Sequence, residues 1–253
     1  MNILAIDAAC STLSIAVARN DEIIYEVKDS GTKQSEIIMD CIDSLMKKAS
    51  LKPQALNGVL CMGGPGSFTG LRIGYSIAKG LALSLSIPFV PVPTLDCIAF
   101  QRTGINKQIN FNNEQSTMSN EKIENNNNNN QRSEEIILTV IEARKGAFFY
   151  AFFNGYKRLT PDADGTTGQI TDIIRKADKG KITAITGPGA QLLYDALPQE
   201  LKTSIISDSE IRGYAKELIL IAKNNKLFDN DNSVYLFSGP EYLRKTDAEL
   251  SLK

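Results

Sequence analysis

Two acids, two hydroxyl-bearing turns and two glycine-proline-glycine loops are the parts of this sequence suited to handling phosphate. Asp7 closes the apolar run NILAID (2–7), and Ser11 and Thr12 follow in the turn DAACST. Further on, CMGGPGSFTGLRIG (61–74) sets Gly63, Gly64, Pro65 and Gly66 ahead of Ser67 and Thr69. A strand-end acid that faces phosphate through Mg²⁺, beside a glycine-rich turn and a helix N-terminus, makes a nucleotide site. The second half of the chain offers Glu142 in EARKG (142–146) and another loop, TGPGA (186–190).

Each feature also has a purely structural reading. The DAACST turn lacks the glycine of a tight phosphate loop, so Asp7 serves equally well to cap a turn. No lysine follows the first glycine loop in GK[ST] order, which excludes a Walker A loop, and the match to GxGxxG is poor. That loop then makes a sharp strand-to-helix turn, with Ser67 or Thr69 as the cap. EARKG has a single late glycine, as a solvated hairpin does. Over 69–85 a helix is expected, with Ile73, Ile77, Leu81 and Leu85 in one stripe and Gly70, Gly74, Ala78 and Ala82 in the next. So wide an apolar and small-residue face belongs either to a fully internal helix or to one that meets a helix of another chain. In the tail, PEYLR (240–244) joins Tyr242 to Arg244 after a proline: an anchoring chemistry, or an edge strand.

Composition narrows the choice. The 253 residues are 42% hydrophobic and 23% charged, enough for one large domain or two small ones. Net charge is −1, so a large generic basic face is absent and nucleic acid would need positive charge from elsewhere. There is no histidine, which removes His-based triads, HExxH zinc sites and histidine bases. Cys10, Cys41, Cys61 and Cys97 lack CxxC spacing and read as reduced, buried thiols. MNILAIDAAC has no basic n-region and reads as a buried strand; no run reaches membrane-spanning length, and a cytoplasmic location is expected.

The elements that would position these residues repeat. Strands are expected at 2–7, 13–18 and 22–28, then a helix at 35–49 with Ser35 as cap, a strand at 57–62, the glycine loop and the helix at 69–85. A short strand and the start of a helix follow over 87–100. After residues 101–134, an Asn-rich insertion expected to be disordered, come strands at 136–143, 146–154 and 156–160, a helix at 170–178, a strand at 182–186, GPG and a helix at 190–197. One more helix is expected at 210–224. Two copies of a βββαβα unit imply an α/β fold of two ribonuclease-H-like, actin-type halves, with Asp7 and Glu142 in equivalent places. The expected division is 1–100, joined by the 210–224 helix, then the insertion, then a reduced half and tail over 135–253.

ILAIDAACSTLSIAV, GGPGSFTGLRIGYSIAKGLAL, IEARKGAFFYAFF and PEYLR, in that order, resemble the TsaB (YeaZ) family. The likeness covers the chain outside the insertion, and GPGSFTGLRIG is its specific element. It implies a non-catalytic subunit of the machinery that forms threonylcarbamoyladenosine in tRNA. Such a subunit pairs with TsaD, a larger metal-holding paralogue that transfers threonylcarbamoyl from its adenylate to N6 of adenosine 37 in ANN-decoding tRNAs. It also implies a TsaE-like ATPase, with ATP or ADP and metal in the partner subunits, tRNA reached through the complex, and a homodimer as another pairing. The two N-terminal helices of each chain would form the contact. That places Ile38, Ile42, Gly70, Arg72, Gly74, Ile77, Ala78 and Leu81 at the interface, with Tyr242 and Arg244 from the tail. Asp7, Ser11 and Thr12 would be a vestigial phosphate loop. Family members often have a histidine before the first helix; here Gln34 stands near that point. The competing readings are a stand-alone small-molecule kinase of the same superfamily, for which no convincing catalytic base is found, and a metalloprotease, which the missing histidines oppose.

Overall fold

Alternation along the first strand sets the arrangement. The computed structural model describes residues 1–29, 33–103, 136–177, 182–202, 205–208, 213–229 and 238–243. In β1 (Asn2–Asp7), Ile3 and Ala5 enter one apolar cluster, Leu4 and Ile6 another, and all four are fully buried. Such a strand must be covered on both faces. It pairs antiparallel with β2 (Thr12–Arg19), which pairs antiparallel with β3 (Glu22–Asp29). On its other side β4 (Gly58–Gly64) and then β5 (Phe89–Pro93) run parallel, giving the order β3-β2-β1-β4-β5.

The second sheet repeats this plan. β6 (Ile136–Arg144) pairs antiparallel with β7 (Ala147–Asn154) and parallel with β10 (Ile182–Thr186), which pairs parallel with β11 (Ile206–Asp208). The expected third strand at 156–160 is instead two short pieces. β8 (Lys157–Arg158) and β9 (Ala163–Thr166) each pair with β7. Pro161 lies between them, and Arg158 is drawn aside into ion pairs with Asp96 and Asp162.

Helices form three layers that alternate with the two sheets. α1 (Gln34–Lys48) and α2 (Phe68–Leu85) cover the outer face of the first sheet. α3 (Thr94–Arg102) and, near the end of the chain, a helix over Ala215–Asn224 fill the space between the sheets. α4 (Thr167–Lys176) and α5 (Ala190–Ala196) cover the far face of the second sheet, with the short α6 (Gln199–Lys202) beside them. The Ala215–Asn224 helix, α7, packs on β1, β2 and β4 of the first sheet and on α3. The result is a duplicated α/β fold of ribonuclease-H-like, actin-type halves. The insertion lies outside the described residues from 104 to 135.

Helix starts differ from the expected ones for local reasons. Ser35 does not cap α1. Lys33 occupies the cap position without a side-chain bond, and Gln34 turns inward, its Nε2 donating to the Cys10 carbonyl at 2.7 Å. α4 begins at Thr167, because Thr166 and Gln169 form a capping box. α7 begins at Ala215, five residues later than expected, after the glycine of positive φ at 213.

Candidate functional site

The first glycine loop is filled by the protein itself. The Ser67 N–H donates to the Ala9 carbonyl at 2.7 Å, and the Ser67 hydroxyl caps α2 by accepting from Gly70 N at 3.2 Å. A Cβ at Gly66 would stand 2.5 Å from the Ala9 carbonyl oxygen, and one at Gly70 would overlap that of Ala8. These glycines admit the β1–β2 turn, so the space beside this helix N-terminus holds the chain's own carbonyls. The second half does the same. The Gly189 N–H donates to the Val140 carbonyl at 3.3 Å, and a Cβ at Gly189 would lie 2.8 Å from Glu142 N.

Asp7 is not placed to meet a ligand. Its carboxylate is buried; Oδ1 accepts from Ala9 N at 3.1 Å, and Oδ2 accepts from the Ser14 hydroxyl at 3.1 Å and Tyr214 N at 2.8 Å. Ser14 Oγ in turn accepts from Ala215 N at 3.0 Å. The pair therefore caps α7, where a carboxylate also meets the positive end of the helix dipole. Burial nonetheless pushes the Asp7 carboxyl above its ordinary value, with the three hydrogen bonds pulling the other way. In the folded chain its oxygens hold the central helix. Ser11 is exposed at the turn and Thr12 is half-buried in β2. Burial, with the nearby Asp7 carboxylate, also pushes the Cys10 thiol above its ordinary value.

Between the halves lies a cleft of about 640 Å³, walled by the β1–β2 turn, the loop before α2, the end of β6 and the tail. Ser11, Ser67, Phe68, Glu142, Arg144 and Tyr242 line it. Glu142 is exposed there, unlike its counterpart Asp7. Among the described residues no group of three or more His, Cys, Asp or Glu is placed to hold a metal.

The tail closes over this loop. The Glu241 N–H donates to the Gly63 carbonyl at 2.8 Å, and a Cβ at Gly64, whose φ is +109°, would stand 2.5 Å from the Glu241 carbonyl oxygen. Tyr242 packs on Phe68 with ring centroids 4.9 Å apart. Arg72 and Tyr242, expected to face a partner, are joined to each other, the Arg72 Nε donating to the Tyr242 hydroxyl at 3.2 Å. Arg244 lies outside the described residues.

The outer surface of α2 departs from expectation in a way that bears on function. Gly70, Gly74, Ala78 and Ala82 face the protein's own first sheet, and Ile38 and Ile42 of α1 are core residues. Of the expected interface positions, Ile38, Ile42, Gly70, Gly74 and Ala78 are buried against β1 and its neighbours in the isolated chain. Ile73, Ile77, Leu81 and Leu85 are half-buried, forming the shoulder of the helix. Beyond that shoulder Ser76, Gly80 and Ser84 are exposed, one helical turn apart, with Leu83 beside them 61% exposed. A Cβ at Gly80 would meet nothing within 4 Å.

Known proteins share this fold and this order of parts. The family model for TsaD, tRNA N6-adenosine threonylcarbamoyltransferase, matches residues 28–111. The tRNA threonylcarbamoyladenosine biosynthesis protein TsaB of Bacillus subtilis is 27% identical over 98% of this chain and 96% of its own length. The TsaB of Escherichia coli is 32% identical over 39% of this chain and 43% of its own. A crystal structure from Pseudomonas aeruginosa, described as similar to peptidase YeaZ, superposes with a TM-score of 0.71 at 19% identity. It covers 96% of this chain and 99% of that one. Along nearly its whole length the chain is similar to TsaB/YeaZ proteins. The fold of YeaZ from P. aeruginosa also matches, with a TM-score of 0.65 over 89% of this chain and 92% of that one. The TsaD-model match spans α1, α2 and the loop between β4 and α2, the region whose outer face has just been described. Gln34 ties the β1–β2 turn to α1 through its bond to the Cys10 carbonyl. Sequence reasoning missed Phe68, the exposed Ser76, Gly80 and Ser84, and the Arg158 ion pairs. The first four were readable as an i, i+4 stripe once the neighbouring stripe was assigned to the core.

Proposed function

We propose that this chain is the non-catalytic pairing subunit for a TsaD-like paralogue in the formation of threonylcarbamoyladenosine at position 37 of ANN-decoding tRNAs, in the cytoplasm. The observation that supports this best is the outer face of α2. An exposed glycine inside a helix costs about 1 kcal/mol relative to alanine, and among the described residues no contact explains Gly80. Flanked by Ser76 and Ser84, with Ile73, Ile77, Leu81 and Leu83 on the rims, it lets a second helix come close and bury apolar surface. The paralogue would supply metal, nucleotide and the transfer chemistry, a TsaE-like ATPase would join the pair, and tRNA would be held by the assembly. Catalysis by this chain alone is opposed by its composition and by both glycine loops, which its own carbonyls fill.

The interface so proposed includes Ile77 and Leu81 from the expected set, with Ser76, Gly80, Leu83 and Ser84 added. Gly80→Trp tests it, because open space surrounds that position in the isolated chain. The variant folds with an unchanged far-ultraviolet spectrum, fails to co-purify with the co-expressed paralogue, and leaves threonylcarbamoyladenosine low in cells that depend on it. Full co-purification and full modification with Gly80→Trp would refute the pairing.

A further inference from the structure

Arg72 opens the outer face of α2 and is held from two sides. Its guanidinium carbon lies 3.8 Å from the Phe68 ring centroid, while its Nε is engaged by the Tyr242 hydroxyl. Tyr242 is itself fixed by the tail. Glu241 is hydrogen-bonded to Gly63, and Lys79, two turns along α2, reaches the Ser238 carbonyl. Among the described residues no carboxylate pairs with Arg72 and no second hydrogen bond engages its terminal nitrogens. A guanidinium stacked on a ring and tied at Nε has its plane set before any partner arrives, and its two terminal N–H groups form a fork matched to a carboxylate. The usual entropic cost of ordering a long side chain at an interface is thereby reduced.

We propose that Arg72, clamped by Phe68 and Tyr242, receives an Asp or Glu carboxylate from the helix of the TsaD-like paralogue that docks on α2. This deepens, and rests on, the pairing proposed above. Charge on the two helices favours a protein acid as the occupant. α2 contains Arg72 and Lys79 and no acid, whereas α1 exposes Glu36, Asp40 and Asp43 along its length, Glu36 and Asp43 ion-paired to Lys33 and Lys47, with Lys47 and Lys48 in its last turn. The TsaD-model match over 28–111 spans both helices, so a helix of the α1 kind is the natural neighbour across the contact. The clamp stands at the end of the apolar shoulder formed by Ile73, Ile77 and Leu81, where a peripheral charge pair sets register. Glycine loop, tail and clamp then form one device: Gly63 and Gly64 admit the tail, the tail sets Tyr242, and Tyr242 sets Arg72.

Titration calorimetry of the purified paralogue into the chain, without tRNA, tests this with Arg72→Gln, Arg72→Lys, Tyr242→Phe and Gly80→Trp. Arg72→Gln weakens binding about 10- to 100-fold, Arg72→Lys nearly as much because an ammonium has no fork, and Tyr242→Phe several-fold. All keep the thermal midpoint of the isolated chain. If Arg72→Gln and Arg72→Lys bind like the parent while Gly80→Trp loses binding, the clamp is wrong and the pairing stands. If Arg72→Gln leaves paralogue affinity intact but weakens binding of labelled tRNA to the preformed complex, the fork takes phosphate and the proposal fails. If the parent does not bind, or Gly80→Trp binds equally well, the pairing fails and the clamp with it.

Discussion

Two glycines ten residues apart on α2 separate internal from external constraint. At Gly70 an added methyl overlaps the Ala8 carbonyl, backbone that the β1–β2 turn holds in place, and the Gln34 side chain closes the other side at 3.2 Å. At Gly80 it enters open space. Gly70→Ala therefore forces the turn and the helix apart, a cost of about 3 kcal/mol by overpacking. Gly80→Ala has no such cost and removes backbone freedom from the unfolded chain, a gain of about 0.8 to 1 kcal/mol. For a chain of this size each kcal/mol shifts the melting midpoint by about 2 to 4 °C. Gly80→Ala should thus melt about 2 to 4 °C higher, and Gly70→Ala about 6 to 12 °C lower. Differential scanning calorimetry of the isolated chain, checked by urea midpoints, reads both. The reasoning is refuted if Gly80→Ala melts lower than the parent, since a hidden intramolecular contact would then explain the glycine. It is equally refuted if Gly70→Ala is neutral, since the glycine-to-turn approach would then not be tight.

Other perturbations follow from the charged groups. Arg158 is ion-paired to Asp96 of α3 and to Asp162, joining the two halves; Arg158→Met leaves two partly buried acids without a counter-ion and should lower stability by about 2 kcal/mol, seen as a lower urea midpoint with unchanged slope. An unchanged midpoint would show that the pairs contribute nothing. Asp7 gives a pH dependence of defined sign. Its carboxyl is raised in the folded chain above the ordinary 3.8. The folded state therefore binds the proton more tightly, and the stabilisation is present in full below 3.8 and lost as pH rises through the folded value. The stability gap between the parent and Asp7→Asn should narrow as pH rises above 3.8 through the raised folded value; a gap that does not change with pH removes the claim that burial dominates at Asp7.

Much of the fold was legible because its signals are local. The apolar runs at 2–7, 136–143 and 182–186 and the repeated GPG made the duplication readable, and strand order and directions follow it. What escaped depends on contacts distant in sequence. Asp7 has the spacing of a phosphate acid, but Tyr214, 207 residues away, takes its carboxylate. YKRLT has strand-like composition, but Arg158 is claimed by Asp96, 62 residues back. On α2 the error was one of phase. The two opposite i, i+4 stripes, at 70, 74, 78 and at 76, 80, 84, are both built of small residues, and hydrophobicity alone does not tell which faces the sheet. The Cβ environment does, because only one of them is crowded.

That phase assignment changes how the glycine-rich segment relates to pairing. Glycines at a strand-to-helix turn are ordinarily explained by an anion at the helix N-terminus. Here the donor at Ser67 already has the Ala9 carbonyl as its partner, and the turn is held from behind by Gln34 on the Cys10 carbonyl. The same close approach that leaves little room for a phosphate fixes the tilt of α2 against the first sheet, since Gly70 and Gly74 allow the helix to lie directly over Ala8 and Ile6. A helix seated so low presents its next stripe, Ser76, Gly80 and Ser84, squarely outward. Closing the space at the helix N-terminus and turning the Ser76, Gly80 and Ser84 stripe outward are therefore consequences of one packing arrangement, so changes that loosen the β1–β2 turn should weaken binding of the proposed partner even though no residue of that turn touches it.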